Sequence, residues 1–237
     1  MSATLITTLG LDADDTLWHN ETLFRLTHQR FCELLSDRAD PEDLEARLSA
    51  TEARNLRLYG YGIKGFTLSM IETAMELCDG EAPPRVIAEI LAAGREMLSQ
   101  PVEPLPGVTE TLTELAADYR LVLVTKGDLM DQERKLAASG LGELFAAVEI
   151  VSEKTAATYR AVFSRHGTGP AHACMVGNSM RSDVLPALEA GSWAIHIPYE
   201  ITWAHELADP PQDHPRYATL ERISQVPDWL KAAAMIG

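Results

Sequence analysis

Two aspartates, Asp12 and Asp14, directly follow the mostly apolar segment Leu5–Leu11. An apolar run of this length that ends in acidic residues predicts a buried strand followed by a polar loop. Side chains two apart on an extended chain point the same way, roughly 6–7 Å apart. Two carboxylates this close repel each other unless a proton or a cation intervenes. One carboxylate can attack phosphorus and form an aspartyl-phosphate, and the other can protonate the leaving oxygen. A solvated acidic loop or a helix cap would show the same spacing.

Polar residues also follow three later apolar segments that are typical of strands. The segments are Leu121–Val124, Ala147–Val151 and Ala173–Val176. The polar residues behind them are Thr125, Lys126, Gly127, Lys154, Asn178 and Asp183. Because sites in open parallel sheets form at the carboxyl ends of the strands, we expect these residues to gather with Asp12 and Asp14 at one edge.

Each member of this set has a chemical use. The Thr125 hydroxyl and the backbone amides of Lys126 and Gly127 could hold phosphate oxygens at a strand-to-helix turn. Lys154 would neutralise charge on the nucleophile and on the transferring phosphoryl group. Taken singly, these residues also fit an ordinary turn and a surface lysine.

Oxygen ligands for a metal come from the last segment. Asn178 and Asp183 offer an amide and a carboxylate, and magnesium prefers oxygen donors. A serine-capped helix start is the alternative for this segment.

Helical patterns lie between the predicted strands, at Val108–Ala117, Met130–Ala138, Ala156–Arg165 and Asp183–Ala190, and a fifth strand is predicted at Trp193–Ile197. Strands that alternate with helices predict a parallel sheet covered on both faces. The fold class is therefore α/β, with a Rossmann-like core.

Residues 18–100 are predicted to form a helical insert between core segments 1–17 and 101–237. Asp40-Pro41 is a plausible helix start, because aspartate caps a helix and proline suits its first turn. Three glycines within 58–66 predict a loop or a kinked joint. Our hypothesis is that Lys64 or Tyr61 in this segment contacts the substrate; a packed interhelical turn is the alternative.

Composition excludes several classes of function. The net charge is −15, with 35 acidic and 20 basic residues, so the surface would repel nucleic acid. Three widely spaced cysteines show no paired metal spacing and predict reduced thiols. No apolar run is long enough to span a bilayer, and the first residues lack a signal-peptide pattern. We therefore expect a cytoplasmic protein with a small-molecule partner; the sequence leaves its oligomeric state open.

The four polar segments, in this order, resemble the motifs of the haloacid dehalogenase superfamily, specifically its phosphatase branch with a C1 helical cap. The first motif, D-x-D-x-T-L, is matched by residues 12–17, and the second, a serine or threonine at a strand end, by Thr125. The third is Lys154, and the fourth, G-D-S-x-x-x-D, is similar to residues 177–183. The resemblance implies a Rossmann-like core in which the helical insert is the cap.

The resemblance also implies roles for the matched residues. Asp12 would be the nucleophile and a metal ligand, and Asp14 would be the general acid and base and offer its backbone carbonyl to Mg²⁺. Thr125 would bind phosphate and Lys154 would balance charge, while Asp183 would hold the metal or its waters. The implied activity is magnesium-dependent hydrolysis of a small phosphate monoester.

One residue departs from the phosphatase pattern. Asn178 stands where the family's phosphatases usually carry aspartate, and the metal-independent haloacid dehalogenases have asparagine near this position. Asp14 favours phosphatase activity, since a departing alkoxide needs a proton and a halide does not. A dehalogenase, a phosphotransferase or mutase, and a catalytically weak phosphate-binding relative are the alternatives.

Overall fold

The computed structural model of the protein describes residues 5–201, 203 and 206–236. The predicted core segments 1–17 and 101–237 therefore include residues 1–4, 202, 204, 205 and 237, which lie outside the described residues. By internal contacts the chain divides into two compact units, one of 1–21, 102–126 and 134–237 and the other of 22–101 and 127–133.

A parallel sheet forms the centre of the first unit. Within the described residues it has six strands in the order β3-β2-β1-β4-β5-β6, and every neighbouring pair is parallel. The strands are β1 (Thr8–Leu11), β2 (Arg120–Lys126), β3 (Ala147–Val151), β4 (Ala173–Gly177), β5 (Trp193–His196) and β6 (Tyr217–Thr219). The predicted α/β fold with a Rossmann-like parallel sheet is confirmed.

Alternation along the strands sends apolar side chains to both faces of this sheet. Leu121 and Leu123 belong to one buried cluster, whereas Val122 and Val124 belong to another. The first cluster includes residues of α5 (Val108–Asp118) and α9 (Val226–Ile236), and the second includes residues of α7 (Ala156–His166) and α8 (Leu185–Glu189). Burial on both faces is why the central strands are continuous apolar runs.

Four helices make up most of the second unit: α1 (Glu21–Leu34), α2 (Pro41–Tyr59), α3 (Ile63–Leu77) and α4 (Pro84–Ser99). Their apolar faces enclose a separate core that includes Phe31, Leu48 and Met70. The predicted start of α2 is confirmed, since the Asp40 side chain accepts a hydrogen bond of 2.9 Å from Asp43 N and Pro41 opens the first turn.

The glycine-rich joint is shorter than the predicted 58–66 segment. Helix α2 ends at Tyr59 and α3 begins at Ile63, so only residues 60–62 lack helical structure. Gly60 and Gly62 have φ of 73° and 104°, a region that favours glycine. Lys64 therefore lies in the first turn of α3 and not in a loop.

Two further boundaries differ from those predicted. The helix expected at Asp183–Ala190 consists of a π-helical turn, Met180–Val184, followed by α8. Helix α6 (Leu129–Ser139) exceeds its predicted range by one residue at each end. No helix in the described part of the chain is long and apolar enough to cross a membrane.

Candidate active site

Asp12 lies at the carboxyl end of β1, and its backbone N–H donates to Val176 O of β4 at 3.0 Å. The Lys154 Nζ donates to Asp12 Oδ1 and, at 2.7 Å, to Asp183 Oδ1. All three residues are buried, and Asp183 is completely inaccessible to solvent. The predicted convergence of these three strand ends is present in the structure, with one ammonium group between two carboxylates.

Burial and mutual charge shift the pKa values of Asp12 and Lys154. Burial, followed by the charge of Asp183, raises the pKa of Asp12 to about 7, although Lys154 opposes the shift. Burial would lower the pKa of Lys154, but Asp12 and Asp183 outweigh it and raise that pKa above its ordinary value. Lys154 therefore stays protonated, and the trio carries more negative than positive charge when both carboxyls are ionised.

The spacing from Gly177 to Asp183 has a steric reason. A Cβ at Gly177 would lie 2.3 Å from Asp183 Oδ2, so only glycine lets this carboxylate lie against the end of β4. Asp183 Oδ2 accepts from Ser179 N at 2.9 Å, and Oδ1 accepts from Lys154 and, at 3.4 Å, from the Tyr159 hydroxyl. Both carboxylate oxygens are thus engaged by protein donors.

Thr16 joins Asn178 to Asp12. The buried Thr16 hydroxyl accepts from Asn178 N at 3.0 Å and lies 3.2 Å from Asn178 Oδ1 and 3.4 Å from Asp12 Oδ2. Two oxygen donors of the predicted metal set are therefore beside the same hydroxyl. Thr16 was not among the predicted site residues, although the first motif contains it.

Asp14 contacts a lysine outside this trio. The Lys135 Nζ, on α6, lies 2.7 and 2.9 Å from the two Asp14 oxygens and also contacts Asn20 Oδ1 at 3.1 Å. Trp18 Nε1 donates to Asp14 Oδ1 at 2.7 Å. Asp14 therefore forms an ion pair with a buried lysine. Sequence reasoning missed Lys135, because a lysine in the middle of a helix carries no local signal of burial.

A strained turn links Asp14 to the start of α1. Asp15 has φ of 61°, and its side chain accepts from Asn20 N at 2.8 Å and Glu21 N at 3.0 Å. These are the unsatisfied donors at a helix start. Burial raises the pKa of Asp15 to about 7, although both hydrogen bonds oppose the shift.

The second motif lies at the end of β2. Thr125 is buried, and Leu123, two residues before it, pairs with Leu11, the residue before Asp12. The Lys126 Nζ donates to Ser182 Oγ at 2.8 Å and to Glu206 Oε1. Strand β2 extends through Lys126, beyond its predicted end at Val124.

Gly127, the next residue, belongs to the second unit. Its φ is 148°, and a Cβ added at this residue would lie 2.7 Å from Gln132 Nε2, so the position favours glycine. In the same unit, the Lys64 Nζ donates to both oxygens of Asp128, at 2.9 and 3.0 Å. Burial would raise the pKa of Asp128, but Lys64 and backbone N–H groups keep it below its usual value. Tyr61 is half-buried, and contact of Lys64 or Tyr61 with a substrate stays a prediction.

The predicted metal donors are oxygen atoms of mixed type. Among the described residues, no group of three or more His, Cys, Asp or Glu side chains is arranged to hold a metal. The predicted set instead combines the Asp12 and Asp183 carboxylates with the Asn178 amide and the Asp14 backbone carbonyl. Hard oxygen donors of this kind suit Mg²⁺, which keeps several of its waters and needs few carboxylates.

Comparison with known proteins gives matches that include these four. Residues 6–191 match the model of the haloacid dehalogenase-like hydrolase family. The glyceraldehyde 3-phosphate phosphatase of Methanothermobacter thermautotrophicus is 28% identical over 200 residues, which are 81% of this chain and 86% of that protein. The crystal structure of a haloacid dehalogenase-like family hydrolase from Xanthomonas campestris is 41% identical, with a TM-score of 0.87 over 100% of this chain and 95% of that one. The magnesium-bound hydrolase YfnB of Bacillus subtilis, at 16% identity, shares the fold, with a TM-score of 0.66 over 95% of this chain and 99% of its own.

Proposed function

The chain belongs to the haloacid dehalogenase-like hydrolases, and we propose that it is a magnesium-dependent phosphatase that hydrolyses a small phosphate monoester. The observation that carries this proposal is the buried Asp12–Lys154–Asp183 trio at the carboxyl edge of the sheet. The phosphatase activity of the relative from Methanothermobacter supports it. The cytoplasmic location stays a prediction from the sequence.

In the first step, a carboxylate oxygen of Asp12 attacks phosphorus and the bond to the leaving oxygen breaks. Asp14 gives its proton to that oxygen, so the alcohol departs and an aspartyl-phosphate remains. In the second step, Asp14 takes a proton from water, the water oxygen attacks phosphorus, and the Asp12 carboxylate and inorganic phosphate are released. For the acid role, Asp14 has to carry a proton, which it takes from water in the second step of the preceding cycle, and it has to exchange its Lys135 contact for the leaving oxygen.

The surrounding residues hold charge in place during both steps. Lys154 keeps Asp12 beside a positive charge, since its Nζ is fixed by Asp183 on the other side. The Thr125 hydroxyl and the backbone amides of Lys126 and Gly127 bind phosphoryl oxygens. The negative charge that develops on those oxygens is then stabilised by preorganised donors.

Magnesium would be held by Asp12, Asn178 and the Asp14 backbone carbonyl, and when bound it supplies positive charge to the phosphoryl oxygens. Asp183 was predicted as a further ligand. Because both of its oxygens accept hydrogen bonds from protein donors, we propose that it supports the site by fixing Lys154 and the 177–183 turn.

The test is hydrolysis of p-nitrophenyl phosphate by the wild type and by Asp12→Asn, each with Mg²⁺ and with EDTA. We expect release in the wild type with Mg²⁺ alone, and a loss of at least about a thousandfold in Asp12→Asn, as for removal of a covalent nucleophile. Asp209→Asn, which removes an exposed carboxylate, is the matched control and keeps wild-type activity. Activity in Asp12→Asn, or release of chloride from 2-chloropropionate without phosphate release from any ester, would refute the phosphatase assignment.

A further inference from the structure

Three donors beside the catalytic trio converge on one carboxylate, Glu206. Its Oε1 accepts from Lys126 Nζ, and its Oε2 accepts from the hydroxyls of Ser179 and Ser182. Lys126 also donates to Ser182 Oγ at 2.8 Å. The Lys126 and Glu206 side chains are only 14% and 13% exposed, so the ion pair is largely removed from water.

An ammonium group and two hydroxyls around one carboxylate are the donors expected of an anion-binding site. Burial would raise the pKa of Glu206, but Lys126 and the two serines outweigh it and keep that pKa below its usual value. Glu206 is therefore a charged group with each oxygen bound, which means that the three donors are adapted to a full negative charge.

This cluster lies next to the proposed catalytic groups. Lys126 directly follows Thr125, and Ser179 directly follows Asn178. Ser182 directly precedes Asp183, and its carbonyl accepts from the Tyr159 hydroxyl at 2.9 Å, the same hydroxyl that lies 3.4 Å from Asp183 Oδ1. An anion bound by these donors would therefore sit beside Asp12 and its partners.

Glu206 itself comes from a long connection, residues 197–216, between β5 and β6. Its described residues include no α-helix and no strand, and connections this long are usually either functional or linker segments. A second side chain of the connection also reaches the same edge, because the Tyr199 hydroxyl lies 2.5 Å from Nδ1 of His19, which follows the first motif. The connection is thus fixed at two points along the edge that carries the chemistry.

We infer that Lys126, Ser179 and Ser182 form an anion subsite beside Asp12, and that Glu206 fills it as an internal carboxylate. The inference rests on the proposed function. Glu206 neutralises Lys126, occupies both hydroxyls and repels any second anion. The enzyme consequently favours phosphate monoesters whose remaining part is uncharged over esters that carry a further carboxylate or phosphate.

The test uses two three-carbon esters that differ in one group, glycerol 3-phosphate and 3-phosphoglycerate, whose extra carboxylate would enter the subsite. Glu206→Ala empties the subsite, and Glu206→Gln keeps its shape but removes the charge. We expect Glu206→Ala to lower KM for 3-phosphoglycerate relative to glycerol 3-phosphate by at least about tenfold, the worth of a charged hydrogen bond. Glu206→Gln should give a smaller change in the same direction. Glu200→Ala, which removes an exposed carboxylate of the same connection, should leave the ratio unchanged.

Lys126→Met in the Glu206→Ala background should abolish the decrease in KM for 3-phosphoglycerate, since that decrease depends on the ammonium group that Glu206→Ala frees. Isothermal titration with the same two esters gives a second readout that needs no turnover. There, Glu206→Ala should bind 3-phosphoglycerate at least about tenfold more tightly than the wild type does, with glycerol 3-phosphate unchanged.

A wild type that hydrolyses no ester would refute the proposed function, and the titration would still decide the subsite. If the ratio of the KM values for the two esters is unchanged in both Glu206 variants, the inference is overturned, while the proposed phosphatase function stands. Equally weaker binding of both esters would also overturn the inference, because Glu206 would then only stabilise the 177–183 turn.

Discussion

Replacement of Gly177 by alanine should disrupt the catalytic trio from a position outside the trio itself. The new Cβ would lie 2.3 Å from Asp183 Oδ2 and 2.4 Å from its Cγ, so the carboxylate has to move. Any movement breaks the hydrogen bond from Ser179 N and the contact with Lys154, which also holds Asp12. Insertion of a methyl group into a packed site costs about 1–3 kcal/mol, and separation of a buried ion pair costs about 3–5 kcal/mol.

These contributions overlap, so we expect a loss of about 3–5 kcal/mol in the free energy of unfolding. For a protein of this length each kcal/mol lowers Tm by about 2–4 °C, which gives a decrease of about 6–20 °C. Turnover should fall together with stability, because Lys154 loses the partner that fixes it against Asp12. The change in stability is measured by thermal unfolding followed by circular dichroism. Turnover is measured by hydrolysis of p-nitrophenyl phosphate at a temperature below the Tm of the Gly177→Ala variant.

Gly142→Ala is the matched control, since its nearest neighbour would be Leu136 Cγ at 4.0 Å and its φ is not positive. It should change Tm by no more than a few degrees, in line with an ordinary surface substitution. If Gly177→Ala matched this control in both Tm and turnover, Asp183 could relocate freely, and the steric account of the motif spacing would be wrong.

Three further changes test other parts of the site. Lys135→Met should cost up to about 3–5 kcal/mol of unfolding free energy, because it removes a buried ammonium group that lies 2.7 and 2.9 Å from the Asp14 carboxylate oxygens; Asp14→Asn in the same chain should restore part of that loss, and additive losses would refute the pairing. Asn178→Asp brings a further carboxylate beside Asp12, so Tm in EDTA should fall through like-charge repulsion while Mg²⁺ raises Tm more than in the wild type; an equal Mg²⁺ response in both proteins would argue against Asn178 as a metal ligand. Lys64→Ala and Tyr61→Phe should raise KM in at least one case with little change in Tm, because the Lys64 pair is half-exposed and worth about 0–1 kcal/mol; unchanged KM in both would refute substrate contact by this segment.

The fold was predictable from the sequence because the strands are buried on both faces. Strand β3 has its predicted bounds, and α5 and α7 extend one residue beyond theirs. Strand β1 begins at Thr8 and not at Leu5, since its ladder partners begin there. Strand β6 was not predicted, because three residues are too few to show an alternating pattern.

The site was predictable only where residues lie at strand ends. Asp12, Lys154 and Asp183 meet as expected, since the topology of a parallel sheet brings its carboxyl ends together. Lys135 and Glu206 come from a helix and from a long connection, and neither has a local pattern that reveals its partner. The π-helical turn at Met180–Val184 was also missed; such turns occur often at functional sites, and here the turn carries Ser182 and Asp183.

The ion pairs of the site differ in how many carboxylates share one lysine. Lys135 pairs with Asp14, and Lys126 pairs with Glu206, so each of these carboxylates has its own cation. In the part of the chain that the structure describes, one ammonium group, that of Lys154, contacts both Asp12 and Asp183. The pKa of Asp12 is raised first by burial and then by the charge of Asp183, and Lys154 offsets only part of that rise. A divalent cation would be attracted most strongly to this pair. An amide at 178 adds an oxygen donor there without a further negative charge, which is why asparagine at this position is compatible with a magnesium site.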